Sequence, residues 1–217
     1  MDEKRYSCAH VVPIEQEPRH HLVIENEFVR AFAVEIAPHD RTLCHHHPYD
    51  YLLYVVGDGD IVSAARDEEP KKLNYRDGEC ELLPAGMVHV VENLGDAAFR
   101  NVVVELLPGT DDLRRGGKPI RITGKTSITR RFEDDRAAIL LLDMKSASEV
   151  LISGPVVVAG SPEGGRLEPH MAGLNYFNHL VWIPPSQKVL LQTSVDAFRR
   201  VLLFQVGRSV EQSLPVE

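Results

Sequence analysis

From residue 21 to residue 107 the chain is broken into short apolar runs set apart by turn-forming residues. The runs HLVIENEF, VRAFAVEIA, YLLYVV, DIVSAA, CELLP, VHVVEN and FRNVVVELL are rich in Val, Leu, Ile and aromatics. These are the side chains that fit a pleated, half-buried surface. Between them stand Asn26 and Glu27, the triplet Pro38, His39 and Asp40, then Gly57, Asp58 and Gly59, then Arg76, Asp77 and Gly78, and finally Gly95 and Asp96. Strands at this spacing predict an all-β sandwich or barrel. No long helix fits the first 107 residues, and one short helix is expected at Ser146–Val150.

The texture changes at Pro108. The stretch PGTDDLRRGGKPIRITGKTSITRR is polar, basic and glycine-bearing, which reads as a connection carrying an edge strand near Ile120–Thr123. Strand-like runs then resume in AAILLLDM, PVVVAG, HLVWIPP, KVLLQT and FRRVLLFQV. The two halves resemble one another: AAFRNVVVELL from 97 matches DAFRRVLLFQV from 196, and each follows an apolar run ending in proline, CELLP and LVWIPP. A period near 100 residues points to a duplicated β domain. The expected organisation is a first domain over 1–112, a linker over 113–130 and a second domain over 131–217.

The formal net charge of -8 excludes partners that require a basic footprint, namely nucleic acid and anionic membrane surfaces. No run approaches the roughly 18 apolar residues of a membrane helix, and MDEKRYSCAH has no apolar leader core. Cys8, Cys44 and Cys80 are sparse, odd in number and without a CxxC pair. That usage predicts reduced thiols in a cytoplasmic protein.

The chemistry concentrates in CHHHPYDY, Cys44–Tyr51. Residues two apart on a strand share a face, so His45 and His47 point one way with Leu43, and Cys44 and His46 the other. Two imidazoles on one face make half a site for a transition metal. The second half lies in GECELLPAGMVHVVEN, where Gly78, Pro84, Gly86, His89 and Asn93 fall at fixed intervals. Pro84 and Gly86 suit a turn, and Asn93 a turn before Leu94 and Gly95. His20, His21 and His39 read as exposed, away from any metal, and Leu43, Tyr51, Leu53, Met87 and Val91 as lining a partly apolar cavity.

The Gly78, Pro84, Gly86, His89 and Asn93 set resembles the second motif of the cupin superfamily at every fixed position. The first motif of that family is matched only in part. His45 and His47 fit, but Pro38 or His39 replaces the leading glycine and the glutamate is absent. Counting back from Gly57 puts Asp50 at the glutamate position, whereas counting forward from His47 puts Tyr51 there. The resemblance implies two tandem jelly-roll barrels, with His45, His47 and His89 as metal ligands and Asp50 as the candidate fourth. The implied ion is divalent, with Fe(II) favoured over Zn, Mn or Ni. The implied function is a mononuclear non-haem dioxygenase-type enzyme acting on a small organic substrate. The alternatives are a metal-dependent isomerase or lyase, and a small-molecule-binding protein without turnover; a homodimer is the expected assembly if the chain associates. With a shift of 100 residues Pro84 meets Pro184, but His89 meets Val189, and no histidine occurs between 90 and 169. The second barrel is therefore expected to lack the metal motif.

Overall fold

The computed structural model describes Tyr6 and residues 8–116, 122–124, 126–144, 149–153, 155–160, 180–185, 187–192 and 199–207. The chain divides into two compact units, Met1–Leu107 and Pro108–Glu217.

Among its described residues the first unit has ten strands: β1 Val12–Pro13, β2 His20–Glu25, β3 Val29–Ile36, β4 His45–His47, β5 Tyr51–Val56, β6 Gly59–Ala65, β7 Lys71–Tyr75, β8 Cys80–Leu83, β9 Met87–Asn93 and β10 Phe99–Leu106. One sheet has the order β1-β4-β9-β6-β7 and the other β2-β3-β10-β5-β8. Phe32, Val34, Val55 and Val103 from the second sheet pack with Ile61, Tyr75 and Val91 from the first, so the core lies between the two sheets. Burying each such side chain contributes about 1.5–3 kcal/mol. The KKLNY run of β7, which hydropathy does not mark as a strand, survives because it is an edge. Its lysines face water and protect that edge, while Tyr75 goes inward.

The motif glycines answer a backbone need. Gly78 and Gly86 have φ of 80° and 86°, in the left-handed region where a Cβ is strained. The turn at Gly86 also ties two strands together, its N–H donating to the His47 carbonyl at 2.8 Å. Asn93 is buried and works as the turn former: its amide donates to the carbonyls of Ile36, Ala37 and Ala97, and its Oδ1 accepts from Gly95 N–H.

The second unit begins with helix α1, Thr110–Gly116, followed by β11 Ile122–Gly124, β12 Thr126–Glu133, β13 Ala137–Met144, β14 Glu149–Ser153, β15 Val156–Gly160, β16 Leu180–Ile183, β17 Lys188–Gln192 and β18 Arg199–Val206. The stretch read as a linker thus carries a helix turn and most of two strands. Of the short helix expected at Ser146–Val150, residues 146–148 lie outside the described residues, and Glu149 and Val150 open β14. Among the described residues one sheet has the order β12-β13-β18-β15-β16, the other β11-β14-β17.

The five-stranded sheets of the two units share one topology. In each, the last described strand lies between two earlier ones, β10 between β3 and β5 and β18 between β13 and β15. The fold is all-β and duplicated.

The cysteines depart from the reduced thiols expected of them. Cys8 and Cys44 form a disulfide, and Cys80 is not part of it. Thirty-six residues separate the pair in sequence. Only the fold brings them together, since β1 runs parallel to β4 with Val12 opposite His45. The cysteine count therefore does not argue for a reducing compartment. No described helix is long and apolar enough to cross a membrane.

Candidate metal centre

In β4 the burial alternates as the parity argument requires: His45 and His47 are buried and His46 is half-buried. Antiparallel pairing places His45 directly opposite His89 on β9. Their Nε2 atoms stand 3.1 Å apart. Two nitrogens held about 2.1 Å from one ion at right angles would be about 3.0 Å apart, so this separation suits neighbouring ligands of a single metal. The His47 ring lies 5.0 Å from that of His45 and 5.3 Å from that of His89, centre to centre. The three sequence-predicted imidazoles come together.

A fourth imidazole joins them, and the sequence reading put it elsewhere. His20 is buried, not exposed, and its ring centre is 4.6 Å from that of His45. Nitrogens of His20, His45 and His47 all lie within 4.8 Å of one another, a grouping that can hold a metal ion. The doublet of His20 and His21 reads as exposed because in sequence it stands just before the apolar run that starts at Leu22. What turns His20 inward is its register opposite Val34, an inward residue of β3. His21 and His39 are exposed, as expected.

Asp50 takes a different part. Its Oδ1 accepts a hydrogen bond from the Ala85 N–H at 2.7 Å, fastening the turn before β9. Tyr51 stacks on His47 with centres 4.1 Å apart and donates its hydroxyl to Met87 Sδ at 3.2 Å. Burial raises its phenol far above the ordinary range, so it stays protonated.

The groups behind the rings fix their orientation. Glu17 is buried and its Oε2 meets His20 Nδ1 at 2.8 Å. Burial alone would raise the Glu17 carboxyl, but His20 and the N–H groups of Leu43 and Arg19 hold it down at about 2. An ionised carboxylate there accepts the Nδ1 proton, which leaves Nε2 as the nitrogen His20 can offer to an ion. His45 Nδ1–H donates to the Leu43 carbonyl at 2.9 Å, which frees its Nε2 in the same way. His89 Nδ1 lies 3.3 Å from Ser63 Oγ. Behind His47, Nδ1 faces Glu105 Oε1 across 3.7 Å, with both atoms buried and lacking a hydrogen bond. The other Glu105 oxygen is held by Arg30 at 2.6 Å. Burial pushes the Glu105 carboxyl up to about 7, with Arg30 acting against it.

Burial also keeps His45, His47 and His89 uncharged. His45 is lowered to about 3, first by burial and then by His20. His47 and His89 are lowered well below the ordinary histidine range, again by burial first and then by neighbouring rings. Neutral imidazoles carry the lone pairs a metal needs. The donor set is all nitrogen, buried and already oriented, so these residues fit a divalent first-row transition ion.

The cluster opens on a cavity of about 310 Å³, within the range of small-molecule sites. His20, His47 and His89 line one side. Of the expected lining residues Tyr51, Leu53, Met87 and Val91 are there. Leu43 is not: it is 45% exposed, since the chain at Thr42–Cys44 has not yet entered β4.

The second unit carries no such cluster among its described residues. In it Ile152 stands opposite Val189, as His45 stands opposite His89 in the first. Ile152 belongs to that unit's apolar core. His170 and His179 lie outside the described residues.

No protein-family model matches the chain, and no curated protein is similar to it at a significant level. Solved structures are similar in fold. The vicilin of Solanum lycopersicum (tomato) matches over 84% of this chain and 76% of its own at 16% identity, with a TM-score of 0.60. The vicilin of Solanum melongena, whose similar pockets hold different anionic ligands, matches over the same shares at 16% identity and a TM-score of 0.59. AerE from Microcystis aeruginosa matches over 87% of this chain and 97% of its own at 13% identity and a TM-score of 0.54. The fold is therefore the cupin jelly roll in tandem, as the motif around His89 led one to expect.

Proposed function

We propose that the first unit is a metal-dependent cupin enzyme that binds one divalent ion through His45, His47, His89 and His20 and acts on a small organic substrate in the adjoining cavity. The observation that carries this reading is the 3.1 Å approach of His45 Nε2 and His89 Nε2, inside a group of buried rings that opens on the cavity. A dioxygenase-type reaction on Fe(II) is the favoured form. Iron in such a site supplies dioxygen activation, while zinc, manganese or nickel would supply Lewis acidity for isomerase or lyase chemistry.

The residues of this chain do the binding and the shielding. Glu17 and the Leu43 carbonyl orient two rings through their Nδ1 atoms, and Tyr51 clamps a third by stacking. The apolar wall formed by Leu53, Met87 and Val91 keeps bulk water from the side of the rings where substrate would lie. The second unit is read as a metal-free copy, with Ile152 and Val189 at the ligand positions.

The test is anaerobic purification and loading with Fe(II), followed by oxygen uptake with small 1,3-diketones and thiols. Substrate-dependent uptake that His89→Ala abolishes supports the oxidative form. Tight zinc with no uptake moves the reading to Lewis-acid chemistry, and a chain that takes no metal at all overturns it.

A further inference from the structure

Strand β10 presents Phe99, Asn101, Val103 and Glu105 to the interior, the row set by its register with Val34 and Val55. Two members of that row are polar. Glu105 is answered by Arg30 at Oε2. Asn101 is not answered: the residue is 5% exposed and its Oδ1 is buried with no hydrogen-bond partner. Its neighbours explain why. Val34 and Val55 flank it on the adjacent strands, and Phe99 and Val103 lie two residues either way along its own. None of these side chains has a donor to offer. Asn101 nevertheless lines the same cavity as His47 and His89.

A buried amide oxygen without a partner costs stability, and an apolar residue there would avoid the cost. Such an atom at a cavity wall is complementary to something that enters. We infer that Asn101 is a substrate-recognition residue: the cavity takes a small, largely apolar molecule bearing a hydroxyl or N–H group that donates to Asn101 Oδ1. This rests on the reading of the cavity as the substrate site, and it extends that reading by naming the class of ligand. The ligand is one whose metal-directed end lies at the imidazoles and whose apolar body carries a donor. A pure hydrocarbon tail would leave the amide unmet. Sites built to pair a ligand hydroxyl reject the analogue that lacks it, because the protein group is then left unpaired.

Phenol and toluene differ by a hydroxyl in place of a methyl and make a matched pair of probes. Each is titrated by calorimetry into the metal-free full chain, into Asn101→Leu and into Asn101→Val. The ratio of phenol to toluene affinity cancels the difference in their hydration. It should fall about tenfold in both variants, the size of one lost hydrogen bond. A ratio unchanged within about twofold overturns the inference. Thermal melting supplies a second readout. Variants that melt at or above the parent support a residue kept for ligand, whereas a drop of several degrees in both means the fold itself satisfies the amide, and overturns it. Because the titrations use metal-free protein, a parent that fails to bind zinc sinks the metal reading alone and leaves this comparison standing.

Discussion

His20 enters the imidazole cluster from β2, outside the histidine-rich run, and Glu17 holds it there. If its Nε2 is a ligand, His20→Ala should lower zinc affinity at least about tenfold, while His46→Ala, which alters the half-buried middle ring, leaves it unchanged. Competition against a chelating dye measures both; equal effects would return His20 to a packing role. Acid should destabilise the metal-free protein for a related reason. His45 has a folded value of about 3 against an ordinary 6.5, and His47 and His89 are lowered as well. Below pH 6.5 the unfolded chain protonates these rings and the folded chain does not, so folding is disfavoured as pH falls. Glu105 opposes them, because its value is raised from 4.5 to about 7 and its contribution is lost as pH rises through 7. Three groups against one give a net loss of stability from pH 7 to pH 5, each group acting by at most about 1.4 kcal/mol per pH unit. Glu17, lowered to about 2, adds to the loss below pH 4.5. Melting temperatures across that range test the sum, and a flat profile would show the rings to be hydrated.

At the scale of elements, β4 is only three residues long and depends on its neighbours for position. It is held by β9 on one side, by β1 on the other, and by the Cys8–Cys44 disulfide at its start. A crosslink across 36 residues stabilises by about 3–4 kcal/mol through the entropy of the unfolded chain. Urea denaturation with and without reductant should show a shift of that order, matched by Cys8→Ser; no shift would mean that the arm contributes nothing to the unit. Close packing constrains β6 differently. A Cβ on Gly59 would come within 2.3 Å of the Phe99 ring. Gly59→Ala should therefore cost about 1–3 kcal/mol by chemical denaturation, since Phe99 is buried and cannot swing out cheaply. A neutral result would place the ring elsewhere.

Across the whole molecule one sheet plan occurs twice, and among the described residues the histidine cluster stands in the first copy. Metal analysis of the full chain should give about one equivalent, falling towards zero in His45→Ala or His89→Ala; two equivalents would give the second unit a site of its own. Much of this was legible in the sequence, because alternation along a strand is a local property. The faces of His45, His46 and His47 followed from period two, and the turn at Gly86 and Asn93 from residue types that suit few other backbones. The strands AAILLLDM and KVLLQT followed from composition alone. What composition could not supply was pairing between distant segments. His20 is a ligand candidate because of its register opposite Val34, the cysteines meet because β1 lies beside β4, and Asn101 matters because its neighbours on both sides are valines. Asp50 shows the converse: its spacing sets it near the glutamate position of the family motif, yet its carboxylate accepts from the Ala85 amide. The chain alone determined that it would form strands, and which face of each would be apolar. Which polar groups would meet across the interior was decided only when the two sheets closed, because those contacts join residues that no local rule relates.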